Sequence, residues 1–211
     1  MIYLLSSLVL ISAIFCIRAK YNKSQNQLLI FKPLTILLII LIAIIFPAIE
    51  LNYKIFIVAG LLFSLLGDIF LIFPEQHFKR GLIAFLFGHI CYIIAFIVST
   101  KIQFTYWIFL PIAVGAIIYL QYIIPYSGKT KFPIIIYIVI ITIMGWLAIE
   151  RLNSAPTLRT FLAAIGAVLF MISDAVLALN KFKKPFFSAE FIILTTYYIA
   201  QWCLAVSVIA A

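Results

Sequence analysis

The chain has 211 residues, 67% of them hydrophobic and only 10% charged, with a mean hydropathy of +1.28. A soluble domain is about half apolar and about a quarter charged, so this composition excludes a water-exposed globular protein. The formal charge of +9 would suit nucleic acid in a soluble chain. Here the basic residues sit in short breaks between apolar runs, which points to membrane orientation and away from a nucleic-acid partner.

In chain order, the apolar runs predict eight transmembrane helices near 2–17, 34–49, 55–73, 82–99, 104–124, 133–149, 160–179 and 188–210. The first run resembles the core of a signal peptide. No Lys or Arg precedes it and no A-x-A site follows, so it counts as a span. Ten-residue alternating segments, the mark of a transmembrane barrel, are absent. Connections of roughly four to sixteen residues leave no room for a soluble domain. The expected fold is all-α, one transmembrane bundle over residues 1–211.

The odd-numbered connections carry Arg18, Lys20, Lys23, Lys32, Lys79, Arg80, Lys129, Lys131, Lys181, Lys183 and Lys184, against Lys54, Lys101, Arg151 and Arg159 in the even-numbered ones. By the positive-inside rule the odd connections face the cytoplasm and both termini lie outside.

An ionisable side chain in hydrocarbon costs roughly 2.5–3.5 kcal/mol on insertion scales, so each one inside a span needs a reason. Glu75 falls in a connection, and Glu50 and Glu150 at outer span ends, where solvated anchors are expected. Glu190 sits just inside the last span. Asp68 and Asp174, the only aspartates, lie well within the third and seventh spans, each beside a small residue in LLGDIFL and MISDAVL. Gly60, Ser64, Gly67 and Asp68 share a helical face, as do Gly166, Phe170, Ser173, Asp174, Leu177 and Lys181. Both aspartates lie about 9 Å below the same edge, and His89 about 13 Å. Tyr197 and Gln201 enter from that side, on one face with Glu190. One cavity open to the cytoplasmic leaflet and lined by Asp68, His89, Asp174, Tyr197 and Gln201 is the economical arrangement. Asp68 and Asp174 are 106 residues apart, and so are Tyr92 and Tyr198. Two parallel four-helix repeats give this spacing, with chance as the alternative.

Two carboxyl groups in a low-dielectric site can divide the roles of proton donor and charge stabiliser. The plainer reading of the same residues is hydrogen bonding between helices, and of Lys181 a snorkelling anchor. No G-x-S-x-G elbow and no Walker-type loop is present. Cys16, Cys91 and Cys203 are unclustered and read as packing residues. A metal at Asp68, Asp174 and His89 is disfavoured with one intramembrane His, so neither metal nor cofactor is expected. The rival from another class is a proton- or cation-coupled transporter using the same aspartates.

The motifs GDIFL (67–71), GHICY (88–92), SDAVLALNKF (173–182) and TYYIAQ (196–201) carry a resemblance, with Phe78, Gly81-Leu82, Met144 and Ala148, and Gly166-Ala167. In this order and separation they resemble the YhhN-like lysoplasmalogenases, eight-helix membrane proteins of bacteria and animals. The likeness runs from Lys32-Pro33 nearly to the C-terminus. It implies hydrolysis of the vinyl ether bond of a lysoplasmalogen, or a related lysolipid, to a fatty aldehyde and a glycerophospho-base. It also implies Asp68 and Asp174 as the catalytic pair, supported by His89, Tyr92, Lys181, Glu190, Tyr197, Tyr198 and Gln201. The partners are then a lysophospholipid and the surrounding membrane lipids. Lys181, Lys183, Lys184 and Arg80 are the cations expected near a phosphate headgroup.

Overall fold

The computed structural model describes residues 1–99 and 103–209, without the side chain of Lys129. Lys101 of the charge count and residue 210 of the last predicted span lie outside these. Eight helices follow one another: α1 (Ile2–Tyr21), α2 (Gln25–Ile45), α3 (Leu51–Phe70), α4 (Pro74–Val98), α5 (Tyr106–Ile123), α6 (Lys131–Ser154), α7 (Leu158–Ala178) and α8 (Ala189–Val206). Each of the eight segments is long and apolar enough to cross a membrane, in line with the eight predicted spans.

The helices overrun the apolar runs, and this moves several residues out of the connections. Helix α2 begins at Gln25 rather than 34, and α4 at Pro74 rather than 82. Hydropathy marks the hydrocarbon layer, whereas a helix continues through the interface until a local signal ends it. At α4 that signal is Pro74 in the first turn, where a missing N–H leaves nothing unsatisfied. Lys32, Lys79, Arg80 and Glu75 therefore sit on helices. Beyond α7 the chain continues as a π-helical turn, Leu179–Lys183, which carries Lys181 and Lys183.

Packing between helices in lipid rests on close van der Waals approach, so small residues mark the tightest pairs. At Gly60 of α3 a Cβ would lie 2.2 Å from Cε1 of Tyr92 on α4. At Gly166 of α7 a Cβ would lie 2.9 Å from the Ala200 carbonyl oxygen on α8. These glycines are again 106 residues apart. The same shift carries residues 25–45 of α2 onto 131–151, within α6, and 51–70 of α3 onto 157–176, nearly the span of α7. It also carries the α2–α8 contact onto the α6–α4 contact. These bounds and this pairing follow a 106-residue spacing, whereas the α1–α8 and α3–α8 contacts have no counterpart of similar extent between α4 and α5 or α7. Helix α5 is the peripheral element, with Ile123 its one buried residue.

One expectation is overturned at the end of the bundle opposite the Lys-rich one. Glu150 is no solvated anchor: it is fully buried and accepts a 2.6 Å hydrogen bond at Oε1 from the Thr105 hydroxyl. Arg151 is buried beside it, its guanidinium 4.2 Å from the centre of the Tyr53 ring. Helix α6 runs on to Ser154, which pulls both charged residues inward from the apparent edge of their span. The aromatic face and the hydroxyl contribute to making their burial tolerable.

Candidate active site

The two aspartates sit in separate hydrogen-bonded groups. Asp68 is buried on α3; its Oδ2 accepts a 2.7 Å hydrogen bond from the Tyr197 hydroxyl of α8, and its Oδ1 lies 3.2 Å from the Lys32 ammonium of α2. Asp174, on α7, uses Oδ2 as well. That oxygen accepts from the Tyr137 hydroxyl of α6 and lies 3.1 Å from Nε2 of His89 on α4. Nε2 is also 3.0 Å from the Tyr137 hydroxyl oxygen. With Tyr137 donating to Asp174, a hydrogen on Nε2 serves both oxygens. The 106-residue shift relates the groups: α3 with α2 and α8 becomes α7 with α6 and α4.

A plug of aromatic rings separates them. Phe170 is fully buried, its ring centre 4.6 Å from that of His89 and 5.4 Å from that of Tyr197. Phe85 stands edge-on to both Phe170 and Tyr197. Tyr92 donates a 2.7 Å hydrogen bond to Oε1 of Gln201, tying α4 to α8 one turn further on. Tyr198 points the other way, its hydroxyl 3.0 Å from the Cys16 thiol of α1.

The surroundings of the two groups differ. Asp174 lines an apolar cavity of about 420 Å³ between α4, α5, α6 and α7, whose walls include Tyr119, Tyr137, Ile141, Met171 and Phe182. Its side chain keeps 10% exposure. Asp68 lines neither this cavity nor either of two others, but its partner Lys32 lines one of those two. That second cavity, of about 300 Å³ at the Lys-rich end, is walled by Lys20, Lys32, Lys181, Glu75, Glu190 and Asn180 over an apolar floor. Phe78 and Leu177 line both cavities, so the two are neighbours. A third, apolar groove lies between α1 and α8.

Of the nine residues singled out from sequence, Asp174 and His89 meet directly, as do Asp68 and Tyr197, and Tyr92 and Gln201. Lys181 and Glu190 meet only as walls of one cavity, with Glu75 at 3.6 Å and Lys20 at 3.4 Å respectively. Arg80, Lys183 and Lys184 do not line that cavity; Lys183 lies over the Tyr122 ring instead. Two partners of the aspartates lie outside the residues singled out from sequence: Lys32, which reads as a connection residue, and Tyr137, one tyrosine in an Ile-rich run. Nothing local marks Lys32, because the start of its helix at Gln25 is seen only in the structure. Among the described residues no three His, Cys, Asp or Glu side chains converge as metal ligands.

Eight helices long and apolar enough to cross a membrane, packed into one bundle around the buried Asp68, define the chain as an integral membrane protein. Comparison with known proteins makes the class specific. The family model described as the YhhN family matches residues 27–208. The membrane protein YhhN of Escherichia coli O157:H7 is 30% identical over 191 residues, covering 90% of this chain and 91% of its own length. Human lysoplasmalogenase TMEM86A is 37% identical over 160 residues, covering 72% of this chain and 65% of its own. Human lysoplasmalogenase TMEM86B is 32% identical over 149 residues, 70% of this chain and 61% of its own. The matches thus span a little under two thirds of the human relatives. No solved structure matches the chain. The chain belongs to the YhhN family.

Proposed function

We propose that the protein is a lysoplasmalogenase-like hydrolase that cleaves the vinyl ether bond of a lysolipid within the membrane. The observation that carries this reading is Asp174, held by His89 and Tyr137 at the wall of an apolar cavity large enough for a lipid chain. The names of the human relatives support the same reaction.

Asp174 takes the role of acid, because its partners are a hydroxyl and an imidazole, whereas Asp68 already has an ammonium beside it. Oδ2 is engaged by Tyr137 and His89; Oδ1 makes none of the described hydrogen bonds and is the oxygen that carries the transferable proton. That proton goes to the alkenyl carbon distal to the ether oxygen, and the π pair forms the new C–H bond. The remaining positive charge is shared between the proximal carbon and the oxygen. Water then bonds to the proximal carbon and gives a proton back to Asp174, leaving a hemiacetal. The hemiacetal hydroxyl proton passes to the glycerol oxygen as the carbon–oxygen bond breaks, giving aldehyde and glycerophospho-base. One water is consumed and Asp174 regains its proton. Positioned acid–base groups of this kind contribute about 10²–10⁴ in rate. Asp68 supplies the second carboxylate of the pair, and Tyr197, Tyr92, Tyr198 and Gln201 position the helices that hold it.

The excess of basic residues at the end nearer the polar cavity supports a cytoplasmic placement of that end, with both termini outside. The bacterial relatives favour the inner membrane. The test is aldehyde release from an alkenyl lysolipid by purified protein in detergent, with the saturated ether analogue as control. Turnover without a sealed compartment supports the hydrolase. Activity that needs sealed vesicles and a gradient would replace it with a transporter.

A further inference from the structure

Lys32 faces two ways. Its ammonium is 3.2 Å from Asp68 Oδ1, and its side chain is a wall of the polar cavity, beside Lys20 and Lys181. All three lysines there have a carboxylate close by, at 3.2 Å for Lys32, 3.4 Å for Lys20 and 3.6 Å for Lys181. These separations are longer than the roughly 2.7–2.9 Å of a tight charge-assisted bond. An ammonium has three N–H donors, so each lysine can serve a further acceptor. The floor between them is apolar, with Leu71, Ile193 and Leu194, and the cavity shares Phe78 and Leu177 with the apolar cavity beneath Asp174. A ligand matched to both spaces has an anion with several acceptor oxygens at one end and a hydrocarbon chain at the other.

We propose that the polar cavity is a phosphate subsite, in which Lys20, Lys32 and Lys181 hold the phosphodiester of a single-chain lipid and Lys32 is shared between that phosphate and Asp68. This rests on the reading above that the apolar cavity takes the lipid chain. Sharing gives the site a sign that a merely structural ion pair lacks. Asp68 competes with the phosphate for one ammonium, so removing its charge tightens phosphate binding, whereas removing Lys20 or Lys181 weakens it. Lys20 and Lys181 are partly exposed, at 28% and 34%, so their replacement leaves the bundle intact. Replacing Lys32 would instead leave Asp68 buried without a counter-charge.

The experiment titrates detergent-purified protein with three probes. The first is 1-O-hexadecyl-glycerophosphoethanolamine, whose saturated ether has no alkene to protonate. The second is 1-O-hexadecylglycerol, with the same chain and no phosphate, and the third is inorganic phosphate. The expected result is that Lys20→Gln and Lys181→Gln each weaken binding of the first probe about tenfold, the scale of one hydrogen bond to a charged group. Asp68→Asn tightens it severalfold, and none of the three changes affinity for the alkylglycerol. Equal wild-type affinity for the two lipids overturns the subsite, as does indifference of the first probe to both lysine changes or weaker binding in Asp68→Asn. Inorganic phosphate that displaces the phospholipid probe at equal concentration overturns the headgroup assignment and leaves a site for soluble anions. No turnover is read, so failure of the vinyl ether reaction and failure of the phosphate subsite give different results.

Discussion

Replacing Asp174 by Asn changes one atom of the site and separates chemistry from structure. In the wild type Oδ2 receives the Tyr137 hydroxyl and the His89 Nε2 hydrogen. The Asn carbonyl oxygen can take that place, so both donors keep an acceptor. The acid form of Asp174 is neutral, as the amide is, and a neutral hydrogen bond contributes about 1 kcal/mol. Two bonds kept in slightly altered geometry therefore lower stability by no more than about 1–2 kcal/mol, within reach of a folded bundle. The transferable proton, by contrast, is gone altogether. Loss of a positioned acid is worth about 10²–10⁴ in rate, or about 2.7–5.4 kcal/mol in barrier height. The rate effect should exceed the stability effect, and the two are read separately. Aldehyde release from an alkenyl lysolipid gives the first; the thermal midpoint and a monodisperse elution profile give the second. An Asp174→Asn protein that is folded and turns over within a few-fold of wild type removes Asp174 from proton transfer and refutes the acid role.

The double change Asp68→Asn with Asp174→Asn should lose little more rate than the worse single one, because members of one catalytic unit are not additive; additive losses would mean two independent contributions. Tyr137→Phe removes one of the two donors to Asp174 while keeping the ring against His89, and should lower kcat about tenfold with KM little changed; an altered KM with normal kcat would make Tyr137 a binding residue. Gly60→Ala places a methyl where the Tyr92 ring lies and should lower stability by about 1–3 kcal/mol, seen as a fall in thermal midpoint; an unchanged midpoint would show that the Tyr92–Gln201 link is not held by this close approach.

The membrane bundle was legible in the sequence because hydrocarbon leaves few alternatives: long apolar runs must be helices. The aspartates were legible for the same reason, as charges out of place. Their partners were less so. Tyr137 and Lys32 became visible only once helices α6 and α2 were set against α7 and α3, since a tyrosine among isoleucines and a lysine beside a proline carry no local sign of what faces them. Glu150 and Arg151 were misplaced because hydropathy reports where a run becomes polar, and not how far its helix continues inside the bundle. The aromatic plug of Phe170 and Phe85 had no signal at all in a chain with 20 phenylalanines. It divides the polar residues expected around one cavity into groups with different surroundings, a distinction that depends on ring packing and not on depth.

The apolar cavity is bounded on one side by residues that also look out of the bundle: Val168 and Ile172 line it and are 37% and 42% exposed. On the proposed reaction this makes the bilayer itself the reaction medium. Encounter would then be governed by mole fraction in two dimensions, so adding inert lipid or detergent at constant substrate molarity should slow turnover by surface dilution. The fragments of a cleaved lipid would also part by solubility, the long-chain aldehyde remaining among the acyl tails and the phosphorylated glycerol leaving for water.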